Sequence, residues 1–135
     1  MPNENRKALI ALRLEQAEGC LRDAELMIGA ASYKSAANRI YYCVFHAMRA
    51  VLAKDCFDSK KHSGIMSAFR ARYVKTRVFP INFSDIIRQA FENRGKSDYD
   101  DFFIISKEET DALIEKARIF LAAIEAYIES LNMEQ

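Results

Sequence analysis

The sequence predicts an all-α fold, an up-and-down bundle of about five helices. Half of the residues are hydrophobic and 29% are charged, whereas the chain has only 4 glycines and 2 prolines. So few turn-forming residues favour a helical globular protein over a turn-rich β fold or a disordered chain. Apolar residues also recur at helical spacing over long segments. With 135 residues we expect one domain over residues 1–135, because the chain can bury one core but is short for two.

Two long helices are predicted in the first part of the chain. Apolar residues at mainly helical spacing mark the first helix over residues 6–30. The second helix is predicted over residues 36–53, and Ser32 or Ser35 can cap it by accepting a hydrogen bond from a backbone N–H. Its sequence, AANRIYYCVFHAMRAVLA, is apolar around most of the helix circumference. Such a helix lies at the centre of a bundle, with other helices around it.

The third helix and the fourth helix are separated by a proline. A short third helix is predicted over residues 64–76, after the polar loop KDCFDSKKHS. Pro80 then breaks the chain, and Asn82 or Ser84 can cap a fourth helix. This fourth helix runs into the segment FENRGKSDYDD, where Gly95 weakens its last turn.

The last predicted helix has the clearest sequence signal for its first turn. Ser106 and Glu109 have the spacing of a capping box, in which each side chain bonds to the backbone of the other residue. Apolar residues then keep helical spacing as far as Leu131. A helix of this length can pack antiparallel to a neighbour and complete the bundle.

Polar side chains of the predicted central helix share one face. At about 100° per residue they fall within a stripe about 100° wide. The stripe consists of Asn38, Arg39, Tyr42, His46 and Arg49. Two interpretations remain open. The stripe can be the least buried side of the helix, with His46 bonded to a backbone group or a tyrosine, or it can supply His46 to a site as a proton-transfer group.

Charge is unevenly distributed although the net charge is only +1. Residues 34–96 hold 13 Lys and Arg against 4 Asp and Glu, whereas residues 97–135 hold 3 against 10. This asymmetry can create a basic face that attracts polyanions. The two segments can equally neutralise each other in the folded protein.

Cysteines and histidines give no sign of a metal site. Cys20, Cys43 and Cys56 show no CxxC spacing and no nearby histidine cluster, and His62 has no carboxylate or second histidine at ligand spacing. With no phosphate-loop motif either, we expect no metal and no cofactor. The first residues lack the apolar core of a signal peptide, and no apolar run approaches the roughly 20 residues that span a bilayer. These features predict a cytoplasmic protein that is not inserted in a membrane.

A basic run, FRARYVKTR, is a candidate for contact with RNA. Cationic side chains neutralise phosphates, and exposed aromatic rings can stack on bases. The run contains Arg70, Arg72, Lys75 and Arg77 beside the rings of Phe69 and Tyr73. The alternative is a solvated helix with a core Phe69, because the four cations do not share one helical face.

Four segments in this order resemble the HEPN domain family, the nucleotide-binding domain of higher eukaryotes and prokaryotes. They are ANRIYYCVFHAMRAVL, KKHSGIMSAF, RYVKTRVFP and FENRGKSDYDDF, followed by a long acidic helix, and the resemblance covers roughly residues 8–130. It implies a bundle of about five helices that commonly forms a homodimer. Many members are metal-independent ribonucleases, often toxins encoded beside a minimal nucleotidyltransferase antitoxin.

The catalytic motif of active members is an arginine and, after four to six intervening residues, a histidine. Arg94 matches the arginine, whereas the possible histidine positions hold Tyr99, Asp100 and Asp101. Arg94 can still offer a fixed charge and a donor fork to a phosphate oxygen. A tyrosine with an ordinary pKa of about 10 exchanges protons poorly near neutrality. The other interpretation is a helix-end arginine held by Asp98 or Asp100, with Tyr99 as a half-buried lid on the core.

The resemblance therefore implies a dimeric, toxin-like or accessory partner of a nucleotidyltransferase, with RNA as its ligand. If RNA is cut, a ribose 2′-hydroxyl attacks the adjacent phosphate, Arg94 stabilises the developing charge, and Tyr99 or His46 transfers protons. RNA contacts are expected from Arg39, Arg49, Arg70, Arg72, Lys75 and Arg77. The alternative function is a non-catalytic module that binds a nucleotide or a protein, in which Tyr99 can be modified by the nucleotidyltransferase.

Overall fold

Five α-helices make up most of the protein in a computed structural model, which describes residues 4–133. The helices are α1 (Glu4–Gly29), α2 (Tyr33–Lys54), α3 (His62–Phe69), α4 (Phe83–Tyr99) and α5 (Lys107–Met133). A π-helical segment, Arg70–Val74, continues α3, and no strand occurs among the described residues. The predicted all-α fold of about five helices is confirmed. Across residues 4–133, the helices are too short or too polar to span a bilayer.

Sequential long helices run in opposite directions, as an up-and-down bundle requires. Asn38 of α2 contacts Asp98 of α4, whereas Tyr42, one turn later on α2, contacts Arg94, one turn earlier on α4. The same reversal relates α1 to α2 and α4 to α5. Short connections between the helices favour this arrangement.

Helix α2 lies at the centre and contacts the four other helices. Its buried side chains occur along its whole length and around most of its circumference, as the apolar sequence predicts. Alanines such as Ala36, Ala47 and Ala50 are completely buried. Because their side chains are small, the backbones of neighbouring helices can approach α2 closely.

An aromatic stack fills the core beneath the connection between the third and fourth helices. Phe79 lies between Phe69 and Phe83, with ring centroids 5.7 Å and 5.6 Å away, and Phe83 contacts Phe120 of α5 at 4.9 Å. All four rings are buried. The sequence interpretation of Phe69 as a core residue is therefore correct.

The hydrogen bonds at the helix ends confirm the predicted capping residues only in part. Ser106 Oγ accepts a hydrogen bond from the Glu109 N–H at 3.0 Å, and Glu109 Oε1 accepts one from the Ser106 N–H at 3.4 Å, so the predicted capping box is present. Ser32 and Asn82 occupy N-cap positions, yet neither side chain makes a capping bond. Capping by these two side chains was therefore wrong. At the start of α4 the N–H groups of Phe83 and Ser84 instead donate to the carbonyls of Pro80 and Ile81.

Replacing Phe120 by alanine should lower the free energy of unfolding by about 3–5 kcal/mol, because the aromatic stack would lose a completely buried ring. Its neighbour Ile119, which is 58% exposed, provides the matched control. Ile119→Ala should change the free energy by less than about 1 kcal/mol. Urea unfolding followed by circular dichroism measures both values, and similar losses for the two variants would contradict this account of the core.

Candidate functional site

Arg94 of α4 points toward the polar stripe of α2 and is held there by aromatic rings. Its Nη2 donates to the Tyr42 hydroxyl at 3.3 Å. The guanidinium carbon lies 5.5 Å from the centre of the Tyr41 ring and 5.7 Å from that of Tyr42. A guanidinium at this distance from two aromatic faces is attracted by both, by about 0.5–2 kcal/mol each. The side chain is 20% exposed, so a ligand can reach it.

Asp98, rather than Asp100, is the carboxylate that pairs with Arg94. An Asp98 oxygen lies 2.9 Å from Arg94 Nε, and the same carboxylate accepts hydrogen bonds from the Asn38 amide at 3.3 Å and 3.4 Å. The Arg94 Nε–H is nevertheless unsatisfied among the described residues, because it does not point at the Asp98 oxygen. Asp100 instead accepts a hydrogen bond from the Phe102 N–H at 2.9 Å.

Tyr99 lies on the solvent side of Arg94. It is the last residue of α4 and is 80% exposed, with its ring centre 6.0 Å from the guanidinium carbon of Arg94. The interpretation of Tyr99 as a half-buried lid was therefore wrong. The helix continues four residues past Gly95, so this last turn extends beyond the core.

His46 lies near Arg94, because Tyr42 contacts both residues. The ring centres of Tyr42 and His46 lie 6.0 Å apart. His46 Nδ1 is buried and has no hydrogen-bond partner within residues 4–133, so the expected bond to a backbone group or a tyrosine is absent at this atom. Burial lowers the pKa of His46, and the positive charges of Arg49 and Arg39 lower it further. His46 is therefore neutral near pH 7 and able to accept a proton.

Arg39 and Arg49 lie on either side of His46 along α2. Arg39 donates to the Asn38 side-chain oxygen at 2.7 Å and 3.0 Å, and its guanidinium lies 5.1 Å from the Tyr42 ring centre. Arg49 pairs with Asp58 at 3.2 Å. We call the set formed by Arg39, Tyr42, His46, Arg49 and Arg94 the α2–α4 site.

Arg13 is a cation beside this site that the sequence did not single out. It is 6% exposed and reaches α2 from α1, where it donates to the Arg49 carbonyl at 3.1 Å and to Asp58 at 3.3 Å. Burial and the charge of Arg49 lower the pKa of Arg13, whereas Asp58 raises it. In the sequence, Arg13 is a single charged residue among apolar residues at helical spacing, and this is the signal that could have identified it.

His62 is the second residue that sequence reasoning missed. Tyr41 and His62 Nδ1 share a hydrogen bond of 2.7 Å, and the imidazole stacks on Phe45 with ring centres 4.1 Å apart. Burial lowers the pKa of His62, and the charges of Arg94 and Arg49 lower it further. Only glycine suits position 64 without rearrangement, because an added Cβ would lie 3.0 Å from Ser59 Cβ and closer still to its hydroxyl. Gly64 thus lets the loop pack against α3 beside His62.

The basic run at residues 70–77 is partly engaged within the protein. Arg70 donates to the Ser84 carbonyl at 3.2 Å, and Arg72 lies 3.6 Å from Asp55 and over the Phe57 ring. Phe69 and Tyr73 are buried, so their rings are not available for stacking on bases. Lys75 and Arg77 are exposed, and their contact with RNA stays a prediction.

No cluster with the composition of a metal site occurs in the described part of the chain, where three or more His, Cys, Asp or Glu side chains would have to converge. Cys20 and Cys43 are buried and Cys56 is exposed, and all three are free thiols. The side chains of the α2–α4 site offer guanidinium, imidazole and phenol groups.

Comparisons with known proteins support one family. A family model described as the HEPN domain matches residues 10–127. A protein of Methanocaldococcus jannaschii named "Putative toxin" is 33% identical over 120 residues, covering 89% of this chain and 82% of that protein. A Thermotoga maritima protein named "UPF0332 protein" is 36% identical over 130 residues, covering 96% of this chain and 98% of the relative. A second "Putative toxin" of Methanocaldococcus jannaschii is 26% identical over 129 residues, covering 96% of each chain.

Both histidines should titrate below the ordinary histidine pKa of about 6.5. Replacing Arg49 by glutamine should raise both titration midpoints, because Arg49 is one of the charges that oppose protonation of each ring. Proton–carbon NMR of the histidine rings between about pH 4 and 9 measures this, and Arg88→Gln on the outer face of α4 is the control. A midpoint of His46 at or above about 6.5 would contradict the electrostatic description of the site.

Proposed function

The chain belongs to the HEPN domain family, and from this premise we propose that it is a toxin-like member that binds RNA at the α2–α4 site. The observation that carries the proposal is the position of Arg94. The motif arginine is partly exposed, lies against Tyr42, and has two further arginines on the neighbouring helix. A cluster of guanidinium groups suits the phosphates of a nucleic acid, which accept bidentate hydrogen bonds.

The length of the α2–α4 site suits a strand of RNA better than a single small anion. Arg39 and Arg49 are separated by ten residues of helix, which corresponds to about 15 Å along the axis. Arg94 reaches the same face from α4 at the level of Tyr42, between these two arginines. Asp98 and Asp58 neutralise part of this charge, so phosphates have to compete with carboxylates for the arginines.

Cleavage of RNA is the second part of the proposal, and the partly exposed, neutral imidazole of His46 favours it. A metal-independent reaction needs a group that removes the proton of the 2′-hydroxyl as this oxygen attacks the phosphorus. The neutral His46 ring can accept that proton, Arg94 can stabilise the negative charge on the phosphate oxygens, and Tyr99 can contact the strand from the solvent side. This assignment supplies from α2 the histidine that the motif lacks.

Dimerisation and a protein partner are further parts of the proposal. Phe102 and Ile104, just after α4, are 92% and 86% exposed, and large apolar side chains that are exposed together are typical of interaction surfaces. We infer a homodimer in the cytoplasm that pairs with a minimal nucleotidyltransferase antitoxin. In the non-catalytic alternative Tyr99 is the acceptor of a group transferred by that enzyme, and its exposure is compatible with modification.

Binding to single-stranded RNA should weaken as salt rises, because cations of the site displace the counterions of the phosphates. Arg94→Ala should weaken binding about tenfold or more, since hydrogen bonds to charged groups contribute about 1.5–3 kcal/mol. Arg88→Ala, on the same helix but paired outward with Asp85 and Glu92, should leave the affinity unchanged. Fluorescence anisotropy with a labelled RNA of mixed sequence measures these affinities. Equal affinities of the two variants and the unchanged protein would refute binding at this site.

Cleavage should proceed in EDTA and leave a 2′,3′-cyclic phosphate and a 5′-hydroxyl. The ribose 2′-oxygen forms the new bond to phosphorus while the bond to the 5′-oxygen breaks, and the leaving 5′-oxygen takes up a proton from water. Arg94→Ala should abolish cleavage, and His46→Ala should lower the rate by roughly 100-fold or more, the usual contribution of a general base. Gel analysis of RNA incubated with each variant gives the rates, and Arg88→Ala serves again as the control. RNA that stays intact with the unchanged protein, or is cut equally by Arg94→Ala, would exclude catalysis while leaving the binding proposal to the affinity measurements.

A further inference from the structure

We propose that His62 and Arg49 form a second phosphate subsite beside the α2–α4 site, in which Tyr41 fixes His62 as the tautomer whose Nε2–H donates to a phosphodiester oxygen. The inference rests on the proposed RNA binding and deepens it. It assigns a position to the phosphate that lies next along the strand from the one at Arg94.

The buried hydroxyl of Tyr41 determines the tautomer of His62. Tyr41 has no exposed surface, and burial raises its pKa, so the phenol keeps its proton near neutrality. A buried hydroxyl proton needs an acceptor, and His62 Nδ1 lies 2.7 Å away. Nδ1 must then be unprotonated, which leaves the proton of the neutral imidazole on Nε2.

The orientation of the His62 ring is fixed by two contacts. The hydrogen bond to Tyr41 holds one edge, and stacking on Phe45 at 4.1 Å holds one face. His62 also lines an open cleft of about 620 Å³, together with Phe45, Arg49, Asp58, Ser59 and Lys60. Because Nδ1 is bonded to Tyr41, Nε2 is the ring nitrogen left for a ligand in this cleft.

Most of the charged side chains that line this cleft are hydrogen-bond donors. Arg49 and Lys60 carry positive charges, and the buried Nε–H of Arg49 has no acceptor within residues 4–133. Asp58 is the opposing carboxylate, and it is shared by Arg49 and Arg13. A ligand with several acceptor oxygens fits two cations and a neutral N–H donor, and a phosphate has this chemistry.

The cleft and the α2–α4 site share Arg49, which places them side by side. Arg94 is also close enough to His62 to be one of the charges that lower the pKa of its imidazole. A single strand can therefore contact both places without leaving the surface of the protein. This continuity favours a phosphodiester of bound RNA over a separate small anion.

Nitrogen-15 NMR of the histidine rings tests the tautomer without any change to His62. In the unchanged protein His62 should show a protonated Nε2 and an unprotonated Nδ1. Tyr41→Phe removes the hydroxyl and should shift His62 toward the Nδ1–H form, whereas the tautomer of His46, which has no partner at Nδ1, should stay the same. A protonated Nδ1 in the unchanged protein, or an unchanged His62 tautomer in Tyr41→Phe, would overturn the inference.

RNA affinity tests the subsite itself. His62→Ala should weaken binding of the labelled RNA about tenfold, and His62→Gln, which restores an N–H donor, should recover most of the loss. Arg94→Ala is measured in parallel. If Arg94→Ala weakens binding and His62→Ala does not, the subsite is wrong and the proposed function stands, whereas the absence of any effect in both variants refutes the proposed function as well.

A titration with inorganic phosphate tests whether the cleft binds a free anion or a phosphate of an RNA strand. If phosphate shifts the His62 ring signals but His62→Ala leaves RNA affinity unchanged, the cleft binds a free anion and the assignment to the strand is refuted. If His62→Ala weakens RNA binding while Arg88→Ala does not, the assignment is supported. If His62→Ala does not fold, the RNA affinity of Tyr41→Phe and the tautomer measurement still decide whether His62 forms the proposed subsite.

Discussion

Burial of α2 on nearly all sides is the constraint from which the arrangement of the site follows. A helix at the centre of a bundle has one narrow face on which polar side chains can remain hydrated or find partners. Among the described residues, four other parts of the chain meet this face: α4 with Arg94, α1 with Arg13, the loop before α3 with Asp58, and the start of α3 with His62. The functional groups converge here because the rest of α2 is occupied by apolar packing.

Arg94 is held by several modest interactions rather than by one strong bond. Its ion pair with Asp98 is partly exposed, and such pairs contribute about 0–1 kcal/mol. The rings of Tyr41 and Tyr42 beside the guanidinium add contacts that do not depend on Asp98. For the proposed RNA binding, this means that a phosphate could replace the carboxylate of Asp98 while the aromatic contacts of Arg94 remain.

The absence of a histidine from the motif does not leave the site without imidazole groups. His46 comes from α2 and His62 from the first turn of α3, and burial together with nearby arginines lowers the pKa of both rings. Their hydrogen bonding differs, since Nδ1 of His46 has no partner in the described part of the chain whereas Nδ1 of His62 is bonded to Tyr41. The bond to Tyr41 therefore fixes the orientation of the His62 ring, whereas the Nδ1 atom of His46 gives no such restraint.

The sequence by itself determined the five helices, the central position of α2 and the capping box at Ser106, and it selected Arg94 as a candidate site residue. These features depend on helical periodicity or on residues three to five positions apart, which a sequence displays directly. Tertiary structure alone decided that Asp98 pairs with Arg94, that Tyr99 is exposed, and that Tyr41 meets His62. Contacts such as Arg94 with Tyr42, 52 residues apart in the chain, depend on how far each helix extends and how it is rotated against its neighbour. Periodicity fixes which face of a helix is polar, but the packing of the bundle fixes what that face touches.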